Sequence, residues 1–143
     1  MSLIRILAYL YAAMFFFIAV MGFIPPFVDE NGYLFGLFSL DTYDNSLHAF
    51  SGTWALIAAL ISTRQATLYF KIFGTIYFLD GIMGLFFGNA FLDFGIFLYG
   101  IPDYSLIVKV LMNIPHICIG GFATFVGYYL SKKSYFRDKF RFS

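Results

Sequence analysis

The chain has 143 residues, of which 61% are hydrophobic, 23% aromatic and only 12% charged, with a formal net charge of +1. A soluble domain of this size carries about 25% charged residues, so this composition, with a mean hydropathy of +0.81, excludes an ordinary soluble domain and reads as an integral membrane protein. Basic residues cluster only in the C-terminal tail, which excludes a nucleic-acid-binding face.

A bilayer is crossed by about 20 apolar residues in a helix, and four segments meet that length. The first, Leu3 to Ile24, closes at Pro25-Pro26; it carries Arg5 and an apolar run but no small-x-small cleavage pattern, so it reads as a retained helix and not a signal peptide. The second runs from Asn45 to Thr63 and the third from Leu68 to Phe87. The fourth, 105–131, carries Pro115, which removes a backbone donor and clashes with the turn before it. That span is therefore either kinked near Pro115 or preceded by a short separate helix. The chain divides into a transmembrane domain over 1–131 and a basic, aromatic tail over 132–143. The tail's interleaved cations and rings suit the anionic cytoplasmic leaflet or serve as a topology signal.

Charge sets the orientation. Asp29, Glu30, Asp41 and Asp44 lie between spans one and two, and Asp93 and Asp103 between spans three and four, with no Lys or Arg among them. Arg64 and Lys71 flank the second link, and Lys132, Lys133, Arg137, Lys139 and Arg141 fill the tail. By the positive-inside rule both termini are cytoplasmic, Lys109 being the one exception. The fold expected is an all-α integral membrane four-helix bundle, multi-pass in a bacterial inner (cytoplasmic) membrane.

The motif N-x-x-H-x-x-x-G occurs twice and holds both histidines: Asn45, His48 and Gly52, then Asn113, His116 and Gly120. Ala55 and Ala59 follow the first histidine at the offsets at which Ala123 and Gly127 follow the second. Those spacings fall on one helix face, so each copy is a helix with a histidine near its top and a stripe of small residues beneath. Phe35-Gly36-Leu37-Phe38 likewise matches Phe94-Gly95-Ile96-Phe97, and Met21-Gly22 matches Met83-Gly84. The order is the same in both halves, which reads as two tandem helical hairpins of like orientation, related by an axis along the membrane normal. The segments around Tyr33–Leu40 and Phe87–Tyr99 are apolar yet lie outside the spans, so they are expected to fold over the helix tops or lie at the interface as a lid.

Polar groups inside a membrane are costly and are paired or functional. His48, His116 and Asp80 qualify. One reading is a b-type haem with His48 and His116 as axial ligands and Gly52 and Gly120 leaving room for the porphyrin, in an electron-transfer protein. A metal held by the histidines with Asp44 or Asp80 lacks a recognised ligand spacing, and a proton relay through Asp80 lacks a path across the inner half. The alternative is structural. Asn45 and Asn113 then cap their helices, the histidines bond a loop carbonyl or a partner helix, the small stripes allow close approach of spans two and four, and Asp80 pairs with Lys109 or a histidine. Cys118 reads as a small core residue. No nucleophile constellation or phosphate loop is present, so the leading reading is a non-enzymatic structural or accessory subunit, with the lipid bilayer and other membrane subunits as partners.

The chain resembles the bacterial membrane proteins grouped as domain of unknown function 4383. The resemblance rests on Gly22-Phe23-Ile24-Pro25, on Phe35-Gly36-Leu37-Phe38, on Asn45-Ser46-Leu47-His48 with Gly52, and on Asn113 to Gly120. It implies a four-helix membrane protein and brings no established activity or cofactor. Pro115 and the high Phe content depart from the pattern.

Overall fold

A computed structural model describes residues 1–38 and 41–133; Ser39, Leu40 and the tail from residue 134 lie outside it. Helix α1 (Leu3–Met21) starts at Ser2, whose side-chain oxygen accepts from Arg5 N. It ends ahead of Pro25-Pro26, which form a single 3₁₀ turn because proline cannot extend the helix before it. Helix α2 (Thr42–Ile61) is separated from α3 (Thr63–Phe87) by Ser62 alone. Ser62 closes one helix and caps the next, its Oγ accepting from Gln65 N at 3.1 Å. A short helix α4 (Gly95–Tyr99) precedes α5 (Leu106–Phe125), which passes through Pro115 as one helix and continues into a π-helical turn at Val126–Leu130. Of the two arrangements that Pro115 allows, a separate helix just before it is not the one adopted: the helix is continuous there, and the extra helix is α4, further upstream. Among the described residues all regular structure is helical, apart from isolated bridges of Leu34 with Val28 and Phe38.

Among the described residues three helices are long and apolar enough to cross a membrane: α1, α3 and α5 with its continuation to Lys133. Together with the composition they mark a membrane protein.

The packing is uneven. Helix α3 lies at the centre, most closely against α5, and also touches α1 and α2, while α1 packs chiefly on α2. The core is aromatic: Tyr77, Phe73 and Tyr69 stack down α3 with ring centroids 4.8 and 5.0 Å apart. Phe15 and Tyr11 of α1 meet them edge-on. The α3–α5 contact is built on glycine. A Cβ at Gly120 would overlap the backbone of Tyr77 and Phe78, one at Gly74 that of Ala123 and Thr124, and one at Gly127 that of Phe70 and Lys71. Small residues let helix backbones approach where no apolar driving force separates helix from lipid. The expected close contact of spans two and four is corrected: Gly52 faces Ala12, Phe15 and Phe16 of α1, and Gly120 faces α3. Each stripe therefore serves a neighbour in sequence. Cys118 is exposed on α5, not in the core.

Candidate functional site

The histidine motifs do not begin their helices. Asp41 caps α2, its side chain accepting from Tyr43 N and Asp44 N while Asp44 bonds back to Asp41 N, a complete capping box. Ser105 caps α5. Asn45 and Asn113 as caps are thus corrected: Asp41 and Ser105, upstream of each, hold the cap positions. Asn113 is buried within α5, its Nδ2 donating to Lys109 O at 2.9 Å, and it fills the space that Gly84 leaves on α3. Asn45 Oδ1 is buried without a hydrogen-bond partner.

Asp80 joins three elements. It is 1% exposed and lies about two turns before the end of α3. Its Oδ1 accepts from the backbone N–H of Phe91 and of Leu92, each at 2.9 Å. Its Oδ2 is 3.0 Å from His116 Nδ1 on α5. The segment after α3 therefore turns back to the level of Asp80, carrying irregular backbone into the helix bundle. Such backbone needs protein partners where water does not reach, and the carboxylate supplies them. Asn89 Nδ2 donates to Gly100 O at 2.8 Å, and Ile96 N to Ala90 O at 2.9 Å, which close the same segment over the bundle.

His116 sits where Gly81 leaves room for its Cβ, and its ring lies 4.5 Å from that of Tyr77. Tyr77, also 1% exposed, reaches the other histidine too: its Oη is 3.4 Å from His48 Nε2. His48 stacks on Phe15 of α1, with centroids 5.9 Å apart, and its Nδ1 has no partner. The chain of contacts runs from the loop N–H groups through Asp80, His116 and Tyr77 to His48.

This geometry does not fit a haem. Tyr77 fills the space between the two imidazoles, and Gly52 and Gly120 are occupied by α1 and α3 instead of opening on a common cavity. Among the described residues no group of three or more His, Cys, Asp or Glu side chains is arranged to hold a metal ion.

The two hairpins contact their histidines alike. Aligning Met21-Gly22 with Met83-Gly84 sets Phe15 beside Tyr77 and Ile18 beside Asp80. Phe15 lies against His48 as Tyr77 lies against His116, the first pair stacked and the second tilted, and Gly52 meets the Phe15 turn as Gly120 meets the Tyr77 turn.

The family model described as domain of unknown function (DUF4383) matches residues 5–107. The chain belongs to the DUF4383 family. The matched segment holds His48, Tyr77 and Asp80 and ends at the start of α5, ahead of His116. No curated protein matches, and no solved structure matches.

Two contributors were missed from sequence. Tyr77 lies three residues before Asp80 on the same helix face, a spacing that had a signal but was lost among many aromatics. Arg5 donates from Nε to Ala59 O at 2.6 Å and from Nη2 to Leu60 O at 3.2 Å, satisfying terminal carbonyls of α2.

Proposed function

We propose that this DUF4383 protein is a small, non-enzymatic structural or accessory subunit of a larger assembly in a bacterial inner membrane. The observation that carries the reading is that Asp80, a carboxylate only 1% exposed, meets protein partners with both oxygens. A catalytic or ion-conducting carboxylate needs access to substrate or solvent; this one fastens a loop to two helices. In this reading α1, α2, α3 and α5 all span the bilayer. Helix α2 has 20 residues, about 30 Å at 1.5 Å per residue, and its His48 is covered by Phe15 of α1 and Tyr77 of α3. Both ends lie in the cytoplasm, because Arg64, Lys71, Lys132 and Lys133 share the end where α1 starts and α5 ends. The like contacts of Phe15–His48 and Tyr77–His116 support descent of the two hairpins from one.

Two measurements test this. A dithionite-reduced minus oxidised visible spectrum of the purified protein is expected to be featureless; a sharp α-band lost in His48→Ala and His116→Ala would replace the structural reading with a cytochrome. In native gels of mildly solubilised membranes the tagged chain is expected in a species larger than the same chain purified alone. Migration identical to the purified chain would remove the subunit role.

A further inference from the structure

The non-glycine residues with positive φ among those described are Phe35 (φ 53°) and Phe94 (φ 64°), the first residues of the two F-G-x-F segments. The left-handed region is disfavoured for a bulky side chain, and glycine would occupy it without strain. The chain holds phenylalanine there twice. Its own contacts give little in return: Phe35 is 61% exposed and Phe94 54%. The aromatic neighbours of these rings are Phe27, 5.8 Å from Phe35, and Tyr43, 5.9 Å from Phe94. Two strained, exposed rings at matching positions point to a partner outside the chain.

The surroundings specify it. Phe23 just past α1, Phe86 in the last turn of α3 and Phe97 in α4 are each more than 70% exposed. With Phe35 and Phe94 they continue the apolar outer faces of the helices to the loop end of the bundle. Aromatic rings favour the headgroup level of a bilayer. The charged side chains of this end are acidic (Asp29, Glu30, Asp41, Asp44, Asp93 and Asp103) except for Lys109, whose Nζ donates to Phe86 O. An anionic headgroup would meet net repulsion there.

We infer that Phe35 and Phe94 are anchors seated at the headgroup–acyl boundary of the leaflet at the loop end, and that the lipids they meet are zwitterionic or uncharged. Both rings are more than half exposed at that end of the bundle. The inference rests on the membrane-spanning reading above, and its test separates the two.

The test places one tryptophan at a time in a Trp54→Phe background, with the full chain in phosphatidylcholine liposomes and circular dichroism confirming the fold of each variant. Phe35→Trp and Phe94→Trp are expected to give blue-shifted emission, quenched more by lipids carrying a nitroxide near the headgroup than by lipids carrying it near the chain terminus. Leu10→Trp, on the exposed face of α1, reports the span itself and is expected to be quenched most by the deep label. If Phe94→Trp does not fold, Phe97→Trp, with helical backbone, reads the same face. Emission at 35 and 94 quenched by aqueous iodide and by neither lipid label would overturn the anchor, as would rings that no quencher reaches, which would be covered by protein. Loss of lipid quenching at Leu10→Trp as well would sink the membrane-spanning reading instead.

Discussion

The α1–α2 hairpin and the α3–α5 hairpin place an aromatic ring against a histidine and a helix turn against a glycine, yet they hold their tops differently. In the second, Gly81 and Gly84 make room for His116 and Asn113, and Asp80 ties His116 to two backbone N–H groups of a loop that enters the bundle. In the first, the position aligned with Asp80 is Ile18; the loop is held by its own turns, with Asp29 accepting from Asn31 N and Tyr33 N, and α2 starts on the Asp41 capping box. The difference shows what sets where a polar group goes. Where irregular backbone descends among helices, a buried carboxylate must meet it; where the loop stays at the surface, acidic side chains at the helix start suffice.

The largest break in this comparison is Asp80→Ala. It leaves two loop N–H groups and His116 without their acceptor, and removing one partner of a buried pair costs about 3–5 kcal/mol. Unfolding titrations in detergent should register that loss, with hydrogen exchange rising first at Phe91 and Leu92. A substitution that left exchange at those amides unchanged would show that the carboxylate does not hold the loop. Next is a paired glycine test. Gly120→Ala drives a methyl into the α3 backbone and should cost about 3 kcal/mol, whereas Gly52→Ala, whose Cβ would lie 3.2 Å from Ala12 O and Phe15 Cβ, should cost about 1 kcal/mol, within the usual span for overpacking. Equal losses would mean that the two hairpins pack equally closely.

A smaller effect sits at the first hairpin's cap. Slight burial would raise the Asp41 carboxyl, but the N–H of Asp44, the hydroxyl of Tyr99 and the N–H of Tyr43 outweigh it and hold the group below its ordinary value. A depressed carboxyl stabilises the fold fully above its unfolded value and loses that contribution as pH falls through the native one. Tyr99 shows the converse: its hydrogen bond to Asp41 raises it above the ordinary phenol value, so its contribution persists below that value and is lost as pH rises through the raised one. Asp41→Ala should cost about 1 kcal/mol, the usual worth of an N-cap, and should flatten the acid limb of a stability–pH curve. An unchanged acid limb would assign that limb to other carboxylates.

The long helices were legible because an unbroken apolar run of span length suits a membrane-crossing helix and little else, and the small stripes because their spacing matches one helix face. The helix caps were not. Asparagine caps well, so Asn45 and Asn113 attracted the assignment, but the reciprocal box of Asp41 with Asp44 satisfies more donors than Asn45 would, and Ser105 begins α5 two turns early. The exposed position of Cys118 was hidden for a different reason: in a membrane helix the outward face is as apolar as the inward one, so hydrophobicity does not mark the interior. Asp80 stood out as a costly buried charge, and a histidine was among its expected partners. The loop amides were not foreseeable, since no side-chain pattern announces which backbone returns to meet a carboxylate.

The smallest expected effect makes the two hairpins most alike. Tyr77→Phe converts the residue beside His116 into the one that Phe15 already is beside His48, keeping the ring contact and deleting only the hydroxyl. The lost contact is long, 3.4 Å to His48 Nε2, and side-chain hydrogen bonds within membrane bundles average about 0.6 kcal/mol. A loss of that size, with a changed ¹⁵N shift at His48 and none at His116, is the expected result, because His116 is held from its other side by Asp80. A loss several times larger would mean that the hydroxyl joins the two hairpins as firmly as Asp80 joins the loop. Their likeness would then end at Tyr77, a residue whose counterpart in the first hairpin has no group to offer.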